Sequence, residues 1–209
     1  MMRIGMVGAG NIGSTLARHF VRVGHEVAVS NSRGPETLEV LVRELGDRAR
    51  AMSAADAARF GEIGVVSVPF GKYRNVPVDG FDDKVVIDTN NYYPGRDGQF
   101  AELDEDRTTS SEMLAAHLPH ARVVKAFNAI YWEHLRDGAR PARAPDRIAI
   151  PISGDDEEAK RIVARLIDEI GFDAVDLGSL AVGGRKHQPG SVLYTADLSA
   201  AEMRRRTST

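Results

Sequence analysis

Three glycines, Gly8, Gly10 and Gly13, follow the short apolar run Arg3-Ile4-Gly5-Met6-Val7 and open a segment of helical periodicity. This spacing constrains the chain more than any other feature. Gly8 permits a tight turn out of a buried parallel strand. Gly10 lacks the Cβ that would hold a ligand away from the backbone, and Gly13 lets the next helix pack close to the strand. A helix over residues 11–23 places Ile12, Leu16, Ala17 and Phe20 on one face. Gly24 ends it, and residues 26–29 read as a second strand. A strand, a glycine turn, a helix and a strand in this order form a cradle for a pyrophosphate. The free N–H groups and the positive dipole end of the helix face the anion.

The second strand runs into Ser30-Asn31-Ser32-Arg33. In a dinucleotide site this position meets the adenosine ribose, and an NAD site places Asp or Glu there to accept from both hydroxyls. None of these four residues is acidic. Ser30 and Asn31 can donate to a 2′-phosphate, which a carboxylate would repel, and Arg33 adds a planar charged fork suited to phosphate. The expected cofactor is NADP(H). The competing reading of Arg33 is a solvated turn residue before Gly34-Pro35.

Apolar strand-like and amphipathic helical segments alternate along the 209 residues, which predicts a doubly wound, mainly parallel α/β sheet of the Rossmann type with helices on both faces. Further strands are expected at 49–52, 63–68, 85–88, 122–126, 147–152 and 173–177. Helices are expected at 38–45, 54–60, 109–117 and 156–170, with a short one at 199–205. The strand at 147–152 is placed at a sheet edge, because Pro151 has no N–H to donate. Residues 94–108 read as a mobile polar loop and 138–145 as a second loop. The organisation is a cofactor-binding domain over 1–180 and a carboxy-terminal extension over 181–209 that is not a domain of its own.

The net charge of −3 gives no general attraction to nucleic acid or to an anionic membrane, and the lack of cysteine excludes disulfides, thiolate metal sites and a cysteine nucleophile. No basic and apolar leader precedes the first strand, and no apolar run nears about eighteen residues. The expected location is the cytoplasm, with a small redox molecule as partner and neither nucleic acid nor membrane.

Ligands of open α/β sheets sit beyond the carboxyl ends of the strands. Three such ends carry chemistry: Val68-Pro69-Phe70, which would flank the nicotinamide; Thr89-Asn90-Asn91-Tyr92-Tyr93; and Phe127-Asn128-Ala129-Ile130. Neutral amide and phenol groups around a flat partner suit hydride transfer, where alignment and a dry pocket matter most. Core or rim packing competes with this reading for Phe70, Phe127 and Tyr92, and turn formation competes for Asn90 and Asn91. None of the six histidines has a metal-ligand spacing. His134, just past the sixth strand, is a candidate proton donor, with surface packing as the alternative. Asp155-Asp156-Glu157-Glu158 lies at a helix start, where compensation of the dipole accounts for it. No catalytic side chain and no metal site are identifiable.

The glycine motif together with Ser30-Asn31-Ser32-Arg33, Val124-Lys125-Ala126-Phe127-Asn128 and Ile152-Ser153-Gly154-Asp155-Asp156 resembles the NADPH:deazaflavin (F420) oxidoreductases, to about Gly178. It is also similar to the NADPH domain of the six-transmembrane metalloreductases. The F420 resemblance implies a doubly wound sheet, a homodimer, and hydride transfer between nicotinamide C4 and deazaflavin C5. By position it implies that Asn11, Ile12, Ser30, Asn31, Ser32 and Arg33 hold NADP, and that Pro69, Phe70, Asn90 and Asn128 border a ring-stacking cleft. The segment 90–93 and the tail after Gly183 depart from the pattern of the archaeal members. Two further functions remain in view. One is NADPH-dependent reduction of a flavin, quinone, imine or ferric complex; the other is a non-catalytic NADP sensor.

Overall fold

The computed structural model describes residues 1–207; positions 208 and 209 of the expected extension lie outside the described residues. Eight strands form one sheet: β1 (Arg3–Val7), β2 (Glu26–Ser30), β3 (Ala49–Ala51), β4 (Ile63–Val66), β5 (Val85–Asp88), β6 (Arg122–Lys125), β7 (Ala149–Gly154) and β8 (Asp173–Asp176). Their order is β3-β2-β1-β4-β5-β6-β7-β8. The first six are parallel, β7 runs antiparallel to β6, and β8 runs parallel to β7. The order reverses between β1 and β4, so a crevice opens there at the carboxyl ends of the strands.

Strand alternation supplies both faces of the core. Ile4 and Met6 of β1, with Val85 and Ile87 of β5, pack under the helices Asn11–Arg22, Trp132–Asp137 and Glu157–Glu169. Val7 and Val86 face the other way, toward Ala58 of helix Ala54–Phe60 and Leu114 of helix Ser110–His117. The caps follow from sequence. Ser53 accepts from the Asp56 N–H at 3.1 Å, Thr109 and Glu112 form a reciprocal capping box, and Asp156 accepts from the Ala159 N–H at 2.7 Å. Asp156 therefore serves the helix start, as the dipole argument requires.

Three expectations are corrected. β7 is not an edge strand; β8 covers it. The alternation of β7 points the nitrogen of Pro151 toward β6, and that pairing begins only at Ser153 and Gly154, past the proline. Residues 94–108 are not simply a loop, because they contain the short helices Pro94–Asp97 and Ala101–Asp104. β4 ends at Val66, two residues before the expected end at Val68, and after Pro69 the chain coils into a 3-10 turn, Phe70–Asn75. The carboxy-terminal segment, with short helices Gly183–Lys186 and Ala200–Thr207, buries His187, Leu193, Leu198 and Met203. Among the described residues no helix is long and apolar enough to cross a membrane.

Candidate functional site

The crevice divides into two adjoining cavities. The glycine turn stands between them. Gly8 has φ +108°, and a Cβ there would collide with the Ser67 carbonyl, while one at Gly13 would collide with the Gly8 carbonyl. These two glycines are required by the fold itself. Gly10 differs: a Cβ there would meet nothing within 4 Å, so its bareness serves whatever occupies the crevice. Gly10 caps the helix Asn11–Arg22 with no side-chain acceptor, and the first turn holds no acidic residue. The first N–H groups of the helix, at Asn11 and Ile12, stay available to an anion.

The first cavity, about 520 Å³, is bordered by residues 7–10, by Asn31, Ser32 and Arg33 after β2, and by Lys72 and Val76 after β4. No Asp or Glu borders it. The Asn31 Oδ1 accepts from the Arg33 N–H at 2.9 Å and its Nδ2 donates to the Thr37 Oγ1 at 2.8 Å, which fixes the loop. The Arg33 side chain is exposed. Ser30 departs from expectation. It is wholly buried and donates to the Met6 carbonyl at 2.8 Å, so its hydroxyl faces the sheet, not the cavity. As the last residue of β2 it obeys the strand alternation; the loop that borders the cavity starts at Asn31.

The second cavity, about 420 Å³, shares Gly10, Ser67, Val68 and Pro69 with the first. Asn11 and Ile12 also border it, with Asn90, Asn91 and Asn128 across the floor and Tyr93, Trp132 and Tyr194 on the walls. The Asn90 Oδ1 accepts from the Val68 N–H at 2.9 Å, so the two strand ends are tied together. The Asn90 Nδ2 is buried and has no partner among the described residues. A buried amide donor left open at a cavity wall costs stability unless a ligand completes it.

A buried polar network stands behind Asn90. The Asp88 carboxylate accepts from the Asn90 N–H at 2.9 Å and the Ser111 hydroxyl at 2.6 Å, while the Lys125 ammonium donates to the Asn90 carbonyl and the Ser111 Oγ, each at 3.0 Å. Lys125 lies 3.9 Å from Asp88, and burial pushes its pKa down against the opposing pull of that carboxylate. A second chain reaches the floor from the tail. The buried His187 pairs through Nε2 with the Ser153 hydroxyl at 2.9 Å and through Nδ1 with the Asn128 Oδ1 at 2.8 Å. Asn128 donates to the Asn91 Oδ1 at 3.0 Å and to the His187 carbonyl at 2.7 Å. Burial holds the His187 pKa well below its usual value, with the Lys125 charge adding to the effect. Tyr194 and Tyr93 are joined through their hydroxyls, and burial raises the Tyr194 pKa.

Val68, Pro69, Asn90 and Asn128 thus come together, and Phe70 does not. Phe70 is fully buried, stacked on Tyr73 at 4.9 Å with Tyr92 and Phe100 against its edge. The 3-10 turn after Pro69 carries it under the surface. His134 also lies apart, paired with Asp197 and edge-on to Tyr131. Sequence reasoning missed Lys125, His187, Tyr194 and Lys72. Only Lys125 left a signal, a lysine set directly after the two valines of a strand.

The family described as NADP oxidoreductase, coenzyme F420-dependent, matches residues 3–92. Metalloreductase STEAP3 of Rattus norvegicus is 30% identical over 181 residues; the match covers 86% of this chain and 34% of that protein, so the chain spans about a third of its length. A hypothetical protein from Sinorhizobium meliloti is similar in structure, with TM-score 0.82 and 30% identity over 95% of this chain and 96% of that one. A candidate F420-dependent NADP-reductase from Arthrobacter sp. FB24 has TM-score 0.73 and 26% identity over 86% of both chains.

Proposed function

We propose that this chain, whose residues 3–92 match the family described as NADP oxidoreductase, coenzyme F420-dependent, passes a hydride between NADPH and a deazaflavin coenzyme of the F420 type. More broadly, it is an NADP-dependent oxidoreductase.

One observation carries the reading. Two cavities of different chemistry meet at Gly10, Ser67, Val68 and Pro69, so a single extended ligand can thread both. The residues fit NADP(H) on independent grounds: the open face of Gly10, the carboxylate-free cavity beside Arg33, and the unsatisfied amide of Asn90. Bound NADPH supplies a hydride from nicotinamide C4. In this reading the helix start at Asn11 and Ile12 receives the pyrophosphate, and Asn31, Ser32 and Arg33 receive the ribose phosphate. Val68 and Pro69 support one face of the nicotinamide, while Asn90 offers its free N–H to the carboxamide. Asn91, Asn128, Tyr93, Trp132 and Tyr194 shape the acceptor side, whose aromatic and amide walls suit a planar heteroaromatic ring. The chain's contribution is alignment and exclusion of water, which suffices for hydride transfer between two such rings.

The test mixes the protein with NADPH and F420. The expected result is loss of NADPH matched one for one by reduced deazaflavin. The similarity to a metalloreductase favours one second reading, in which NADPH is the donor but a flavin or ferric complex is the acceptor. If F420 stays oxidised while either of those consumes NADPH, that second reading replaces the first.

A further inference from the structure

We infer that Lys72 is a second cation for the 2′-phosphate and that it sets the preference for NADPH jointly with Arg33. This rests on reading the first cavity as the adenosine end of an NADP site. In the sheet β1 lies between β2 and β4, so the Arg33 loop and the turn Phe70–Asn75 stand on either side of the glycine turn. The turn is firmly anchored. Its neighbours Phe70 and Tyr73 are buried and stacked with an interplanar angle of 7°, and the Lys72 N–H closes it on the Pro69 carbonyl at 2.9 Å. Lys72, exposed between two buried aromatics, borders the same cavity as Arg33.

Neither cation is spent within the protein. Among the described residues no side-chain hydrogen bond or ion pair engages Arg33 or Lys72, although eighteen ion pairs form elsewhere. Nor does a carboxylate border the cavity to neutralise them. A 2′-phosphomonoester carries roughly −1.5 to −2 charges at pH 7, so one guanidinium leaves it under-neutralised. Arg33 supplies a planar fork of fixed geometry, and Lys72 a point charge on a flexible stem that can follow the phosphate.

The test is calorimetric titration of the full chain, Lys72→Ala, Arg33→Ala and Lys72→Arg with NADPH and with NADH. Lys72→Ala should weaken NADPH about tenfold, the lower end for a charged hydrogen bond, and change NADH by less than about twofold. The tenfold gap should shrink as salt rises, and Lys72→Arg should restore most of it. Equal losses for both nucleotides would assign the charge to the shared pyrophosphate and overturn the inference, as would no loss for either. If the parent chain binds both nucleotides alike, the reading of the cavity fails instead, and the Lys72 result is not needed to see it. The exposed position makes misfolding easy to detect, since the thermal midpoints of the variants should match the parent.

Discussion

Asn90 is the residue at which scaffold and site meet. Its Oδ1 is used by Val68, its backbone by Asp88 and Lys125, and its Nδ2 by none of the described residues. Asn90→Asp keeps the acceptor for Val68 and deletes the free donor. Turnover at saturating NADPH should fall about tenfold or more, and unchanged turnover would show that the amide has no partner in the reactive complex. Arg33→Ala should weaken NADPH binding about ten- to a hundredfold while sparing NADH, measured by calorimetry. At this scale the sequence was legible where a residue follows a turn and opaque where it ends a strand. Asn31 and Arg33 could be placed in the acid-free loop after β2, which borders the first cavity. Ser30 could not, since only the register of β2 shows that its hydroxyl reaches back to Met6.

Among the elements, the turn after β4 decides most. Sequence reasoning extended the strand through Val68 and set Phe70 against the nicotinamide, whereas the 3-10 turn folds Phe70 into a cluster with Tyr73, Tyr92 and Phe100. Aromatic partners 22 and 30 positions further on leave no local pattern, which is why packing won over patterning unseen. Phe70→Ala should therefore destabilise the protein by about 3–5 kcal/mol in urea unfolding. Phe70→Leu should leave NADPH affinity within about twofold; a large loss of affinity with an intact fold would return Phe70 to the cleft. The helix Asn11–Arg22 was readable for the opposite reason. Its caps, glycines and apolar face all lie within one continuous segment.

For the whole molecule, two of the buried histidines, His19 and His187, set an acid limit. His19, lowered first by burial, bonds the Leu135 carbonyl at 2.7 Å, and His187 is lowered further. Both stay neutral in the fold below the ordinary value of 6.5, where the unfolded chain takes up protons. Stability is thus full above that pH and falls as pH drops through it, by up to about 1.4 kcal/mol per pH unit for each histidine. Urea unfolding at several pH values between about 7.5 and 5 measures this. His187→Gln should flatten part of the slope; an unaltered slope would show that other groups titrate there. The sheet order was legible in outline from strand spacing, but the covering of β7 by β8 and the docking of the tail depend on contacts far apart in the chain.

Tyr194 and Thr195 border the second cavity from a segment more than a hundred positions beyond Asn90. The first cavity is thus encoded within positions 7–76, whereas the walls of the second also draw on residues 127–132 and 194–195, segments that can drift independently. Proteins with a common amino-terminal half are then free to diverge in what they reduce while drawing on the same electron donor.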